Sequence, residues 1–215
     1  MAGVIFWDVD TVEDFIRPEG RLYVPRGEGI IAALGRLTRF AHDRGIPIVA
    51  TADAHEPGDA EFGDPPDFVT HWPPHCLRGT AGQRKIPETA LRDPLILEPE
   101  PQDPEALARR VASHRGDFLL HKRLFDAFSN ANVDTVLRAL GPATIVLYGL
   151  PLDVCVNHAV EGMFLHRPSA RLYIVTDAVK AVRYELGEHL LKEWGEEGVR
   201  LVRTAEVVEE GVLGV

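Results

Sequence analysis

Short apolar runs alternate along the chain with segments in which apolar residues recur every three or four positions. The first run, Val4-Ile5-Phe6-Trp7, ends in Asp8-Val9-Asp10. This predicts a buried strand that delivers carboxylates at its C-terminal end, with Asp8 and Asp10 on one face. Ile30, Ile31, Leu34, Leu37, Phe40 and Ala41 then recur at helical spacing, closed by Asp43-Arg44-Gly45. A second strand, Ile46-Pro47-Ile48-Val49-Ala50-Thr51, runs into Asp53-Ala54-His55. Residues 56–93 are rich in Gly, Pro, Asp and His and carry no period. A segment of that length is functional or disordered rather than an idle connection.

The alternation resumes with strand Leu95-Ile96-Leu97, a helix from about Asp103 to His114, and strand Phe118-Leu119-Leu120-His121, whose end carries Lys122. Val133, Val136, Leu137 and Leu140 mark another helix, and Thr144-Ile145-Val146-Leu147-Tyr148 another strand. The latter passes through Gly149-Leu150-Pro151 into a helix from Asp153 to about His166. Strand Leu172–Val175, helix Glu185–Trp194 and strand Val199–Val202 complete the chain. Strands alternating with helices of this length imply an α/β fold, a Rossmann-like three-layer α/β/α sandwich around a mainly parallel sheet. Ligands in such folds collect at the carboxyl ends of the strands, where the topology reverses. Asp10, Asp53, His55, Lys122 and the turn bearing Cys155 all fall there.

Composition narrows the classes. With 215 residues, 45% apolar and 26% charged, the chain is an ordinary globular sequence, and its length predicts one domain over residues 1–215. The 23 basic and 33 acidic residues give a net charge of −10, with the acids scattered, which argues against nucleic acid and anionic membranes as partners. No apolar stretch approaches the roughly 20 residues that cross a bilayer, and the N-terminus lacks a basic leader region. A cytoplasmic protein is expected. The two cysteines, Cys76 and Cys155, lie far apart, as suits a reducing compartment.

Cys155 sits close to the first turn of a predicted helix, where unpaired N–H groups and the positive helix end favour a thiolate, and a neighbouring Lys122 would push the same way. Asp10 could take the thiol proton and pass it to a leaving amine. Read singly, Cys155 is more often a small core residue, Lys122 a surface lysine and Asp10 a turn former, and only their joint placement favours chemistry. Asp53 and His55 point to one side of an extended segment, and His75 would complete a facial set that leaves coordination positions open on one divalent metal ion. Zinc is the first expectation, iron or manganese the alternatives. Asp59, His71 and Cys76 compete as ligands, and a hydrogen-bonded loop without metal is the plain alternative.

These residues resemble the isochorismatase-like cysteine hydrolases over nearly the whole chain, and within them the nicotinamidase branch. Val9-Asp10-Thr11-Val12-Glu13-Asp14-Phe15 is similar to the opening Val-Asp-x-Gln-x-Asp-Phe, and Thr51-Ala52-Asp53-Ala54-His55 to Thr-Arg-Asp-Trp-His. Trp72-Pro73-Pro74-His75-Cys76-Leu77-Arg78-Gly79-Thr80 matches Trp-Pro-x-His-Cys-Val-Gln-Gly-Thr most specifically, and Gly149 to Val156 resembles Gly-Leu-Ala-Thr-Asp-Val-Cys-Val. The resemblance implies Asp10, Lys122 and Cys155 as catalytic residues, Asp53, His55 and His75 as metal ligands, and Cys76 as a non-ligand. It further implies Phe15 and Trp72 around a flat aromatic substrate, with Phe125, Leu150 and Pro151 completing the substrate site. The implied function is hydrolysis of a small aromatic carboxamide, nicotinamide to nicotinate and ammonia, through a thioester in a homo-oligomer. Alternatives are a relative cleaving a carbamoyl or ureido bond, an isochorismate hydrolase, or a non-catalytic binder of metal or small molecules. Three departures bear on the choice. Val12 replaces Gln, and Asp59 stands where some nicotinamidases carry another metal-site His. Pro151 deletes a backbone N–H that the resemblance assigns, with that of Cys155, to the oxyanion hole.

Overall fold

The structure is a computed structural model that describes residues 3–214 apart from Val69 and Pro168. Among the described residues seven strands form one sheet: β1 (Val4–Val9), β2 (Ile48–Asp53), β3 (Leu95–Leu97), β4 (Phe118–Lys122), β5 (Thr144–Gly149), β6 (Arg171–Val179) and β7 (Arg200–Val202). Their order is β3-β4-β2-β1-β5-β6-β7, and every pairing is parallel. The expected α/β sandwich is therefore present, with an all-parallel sheet. Parallel strands need crossovers, and the helices that supply them cover both faces.

Strand alternation sorts the core. Ile5, Trp7 and Val9 of β1 pack with residues of α3 (Pro104–Ser113), α4 (Val133–Leu140), α5 (Asn157–His166) and α6 (Tyr184–Glu196). Val4 and Phe6 pack on the other face with α2 (Ile31–Asp43) and α7 (Thr204–Val208). Every residue of β1, β2 and β5 is buried, so these strands read as largely apolar runs, broken by polar residues such as Asp8 and Thr51, rather than as alternating ones. The loops leaving β1 and β5 go to opposite sides of the sheet, which opens a crevice between those neighbours. Gly149, at φ 119, closes this floor. A Cβ there would collide with the carbonyl oxygen of Val9, so only glycine lets the end of β5 lie this close to β1.

Four local features differ from the sequence expectation. Asp8 and Asp10 do not act together, because Asp10 leaves the extended region at φ 47 and ends the alternation. Asp8, fully buried, is offset by Lys85 Nζ at 2.9 Å and the Thr11 hydroxyl at 2.8 Å, while Asp10 faces other partners. The helix expected from Asp153 opens instead with a π-type turn over Leu152–Val156 before α5 begins. Asp153 is not its cap, since its carboxylate accepts the N–H groups of Val182 and Arg183 at 2.8 and 3.0 Å. The helices α1 (Glu13–Ile16) and α7, four and five residues long, are too short to show a period. Finally, the described residues of 56–93 form a single short helical turn, Pro87–Thr89, and are otherwise irregular. They are held by bridges Val12 to Lys85, His55 to Leu77 and Phe62 to Trp72, and by the buried Asp14 carboxylate accepting the Cys76 N–H at 2.7 Å.

Candidate active site and metal centre

Three strand ends meet in the crevice. Asp10 follows β1, Lys122 is the last residue of β4, and Cys155 lies in the turn after β5; all are buried. Lys122 extends across β2 to reach the other two. Its ammonium lies 2.9 Å from Asp10 Oδ2 and 3.6 Å from Cys155 Sγ, and it also pairs with Asp53 Oδ1 at the end of β2. Asp10 Oδ1 accepts the Thr51 hydroxyl at 2.7 Å, which fixes the carboxylate plane. One ligand-type atom each of Asp10, Asp53 and Cys155 lies within 4.8 Å of the other two.

Two carboxylates and one ammonium set the electrostatics. Burial raises the pKa of Asp10 and Asp53 adds to this, outweighing the opposing pull of Lys122, so Asp10 is a better base than a free carboxylate. For Lys122, burial works against the charge, but Asp10 and Asp53 outweigh it and hold the ammonium firmly protonated. Cys155 corrects an expectation. Burial, together with Asp10 and Asp53, pushes its pKa well above the usual thiol value despite Lys122, so the resting sulfur is a thiol rather than a thiolate. Asp10, with a carboxylate oxygen within 4.8 Å of the sulfur, is the nearby group that could take that proton.

On the other side of Asp53 lie the imidazoles of His55 and His75. Their Nε2 atoms are 3.9 and 3.8 Å from Asp53 Oδ2, and the three side chains form a metal-capable group with ligand atoms within 4.8 Å. Both Nδ1 atoms are engaged elsewhere. That of His55 lies 2.9 Å from Asp59 Oδ2 and that of His75 lies 2.9 Å from the Pro73 carbonyl, which can only accept. The Nε2 lone pairs therefore face the cluster. Glu61, which sequence reasoning did not single out, adds Oε1 at 3.2 Å from His55 Nε2 and 3.5 Å from His75 Nε2. Among the described residues neither His55 Nε2 nor Glu61 Oε1 has a hydrogen-bond partner, although both are buried. Acceptor atoms converging without a proton between them fit a cation, and the mix of imidazole and carboxylate suits a first-row divalent ion. The same need shows in the ionisation. Burial disfavours the His55 imidazolium, but Asp53, Glu61 and Asp59 outweigh it and raise the pKa. For Asp53, burial alone would raise the pKa; Lys122 and the two imidazoles overcome it and hold the carboxyl well below the usual range.

The competing ligands fall outside the set. Asp59 serves His55 from behind and is clamped by the Arg123 guanidinium, which holds its pKa down to about 2. His71 is exposed and bonds Thr70 and Asp67. Cys76 is buried and uses its carbonyl to accept the His55 N–H at 3.2 Å. Of the predicted substrate residues, Phe15 packs 5.5 Å from the His75 ring, and Trp72 meets Phe125 edge-on at 6.0 Å. Leu150 is fully buried in the α2-side core, and Pro151 opens the turn to Cys155. Two unexpected aromatic contacts appear: Phe62 at 5.0 Å from His55, and His158 stacked on Phe125 at 6.3 Å.

A buried carboxylate, lysine and cysteine in contact at the strand ends, beside a convergent metal-type donor cluster, define a class of α/β protein built around a candidate cysteine nucleophile. Residues 4–206 match the Isochorismatase domain, and the chain belongs to the isochorismatase family. It is 28% identical over 164 residues to the ureidoacrylate amidohydrolase RutB of Methylobacterium radiotolerans, covering 74% of this chain and 60% of that protein. It is 40% identical over 75 residues to the nicotinamidase/pyrazinamidase of Mycobacterium tuberculosis, covering 34% of this chain and 39% of that protein. The chain thus spans less than two thirds of the length of either relative. In fold it resembles the pyrazinamidase of Pyrococcus horikoshii solved in complex with zinc, with TM-score 0.75 and 23% identity over 94% of this chain and 99% of that one. Among the described residues no helix is long and apolar enough to cross a membrane.

Proposed function

We propose that the protein is a metal-dependent cysteine amidase that converts a small aromatic carboxamide of the nicotinamide type to the acid and ammonia. The observation that carries this reading is the position of Lys122, 2.9 Å from Asp10 and 3.6 Å from Cys155 Sγ, with Asp53 joining it to His55 and His75. A binder of metal or small molecules has no need of a buried lysine shared between a carboxylate and a thiol.

Asp10 removes the thiol proton as the sulfur attacks the carboxamide carbon, and Lys122 neutralises the thiolate and Asp53 while this happens. The proton held on Asp10 passes to the amide nitrogen, ammonia leaves, and a thioester remains on Cys155. Asp10 then deprotonates a water that attacks the thioester carbon, and the proton returns to sulfur as the acid departs. Asp53, His55 and His75, with Glu61 beside them, would hold a divalent ion whose Lewis acidity anchors a heteroatom of the substrate. Zinc is the first choice, being the metal in the pyrazinamidase of the same fold, with iron or manganese as alternatives. Phe15, Trp72 and Phe125 supply aromatic surface for a flat ring.

A second reading rests on Pro151. Without an N–H at this position the backbone offers an oxyanion one donor fewer, and a donor of this kind is worth about 100-fold or more in rate. A carbamoyl or ureido substrate is the alternative that likeness to the ureidoacrylate amidohydrolase supports. An ammonia-release assay over nicotinamide, pyrazinamide, a ureido acid and an N-carbamoyl amino acid separates the readings. Release from the aromatic amides supports the first; release from the ureido or carbamoyl compounds alone overturns it in favour of the second.

A further inference from the structure

We infer that Arg123 is a positioning residue for the metal centre, acting through Asp59 to fix which nitrogen of His55 carries its proton. The inference rests on the metal-binding part of the proposed function. Consecutive residues at the end of β4 send two cations to opposite sides of His55. Lys122 pairs with Asp53 in the crevice floor, while Arg123 grips Asp59 from the outside. The Arg123 grip is bidentate: Nε lies 3.1 Å from Asp59 Oδ2, and Nη2 contacts Oδ1. Two parallel bonds of this kind fix the plane of a carboxylate as a single lysine contact does not.

Asp59 spends that orientation on His55. Its Oδ2 lies 2.9 Å from Nδ1 and also accepts the Glu56 N–H at 3.1 Å. A carboxylate held there demands a proton on Nδ1 and leaves Nε2 as a lone pair directed at Asp53, Glu61 and, through the neighbouring ring, His75. Asp59 is nearly buried, its side chain 6% exposed, whereas the Arg123 side chain is 45% exposed. The site can therefore be perturbed from the surface without opening the core. Rotation of an unclamped Asp59 would let His55 adopt the other tautomer, whose Nε2–H would point a donor at the place where acceptors converge.

The test compares wild type with Arg123→Met, Arg123→Lys and Asp59→Leu. Zinc and manganese affinities are measured by competition with a chromophoric chelator, and the imidazole nitrogen shifts of His55 are recorded in the metal-free proteins. Arg123→Met is expected to weaken metal binding by about 10- to 100-fold and to raise the Nε2–H population of His55, at unchanged circular dichroism. Arg123→Lys should recover part of both losses. If Arg123→Met binds both metals as tightly as wild type with the same His55 tautomer, Arg123 merely staples the 56–62 segment and the inference is overturned. Should Asp59→Leu not fold, the two Arg123 variants decide alone. Failure of wild type to bind either metal would refute the metal part of the proposed function, while the tautomer comparison still judges Arg123.

Discussion

The two halves of the crevice are built differently. Asp10, Lys122 and Cys155 stand at or just beyond the ends of β1, β4 and β5, so the sheet itself sets their separations. His75, Glu61 and Asp59 come from a long irregular segment, and only Asp53 on their side ends a strand. The cysteine half is accordingly held by core packing and by one shared ammonium. The metal half is held by side chains that clamp other side chains. Damage should register accordingly: loss of the shared Lys122 ammonium should strike stability and chemistry together, while substitutions in the metal half should loosen binding with the fold intact.

Lys122→Met is the strongest challenge to that contrast. It leaves Asp10 and Asp53 buried against each other without their cation, and breaking a buried ion pair in this way costs about 3–5 kcal/mol. Urea unfolding should show that loss, and turnover should disappear with it; a variant of wild-type stability would mean that the two halves are not joined through Lys122. Pro151→Ala comes next. If the missing N–H limits the reaction, restoring it should raise kcat on an amide by up to ~100-fold with little change in KM, as steady-state assays would read. An unchanged kcat would remove Pro151 from the argument about substrate class.

The pH profile sharpens the same comparison. Protonating Asp10 removes the base, so kcat/KM should fall as the pH drops through its pKa. Burial and Asp53 raise that value above the ordinary 3.8, and the acid limb should lie correspondingly higher. A limb at or below the ordinary value would contradict the assignment. The smallest effect is expected from Phe125→Leu, which removes the edge contact to Trp72 and the stack on His158. Aromatic pairs of this kind are worth about 0.5–1.5 kcal/mol, so KM should rise roughly 2- to 10-fold with kcat little altered.

Legibility in the sequence follows the same division. Strands buried on both faces announce themselves as largely apolar runs, and their ends place Asp10, Asp53, Lys122 and Cys155 at the carboxyl edge of the sheet. The preference for Asp10 over Asp8, and for His75 among the loop histidines, came from resemblance to the family, because strand alternation treats Asp8 and Asp10 alike. Alternation fails there for a backbone reason, the left-handed conformation of Asp10. Glu61, Arg123 and His158 were not legible. Each owes its place to a contact across an aperiodic segment, and neither period nor propensity encodes such contacts. The ionisation of Cys155 departs from the sequence expectation for a related reason. A helix end and a lysine are visible in a sequence, whereas complete burial beside two carboxylates is not.

The most direct test of the account is mass spectrometry of the metal-loaded enzyme, acid-quenched during turnover of whichever amide releases ammonia. An acyl group is expected on the peptide containing Cys155, absent from a Cys155→Ala variant that keeps its metal and its fold but releases no ammonia. Ammonia release persisting in that variant, with no acylated peptide in the wild type, would contradict it.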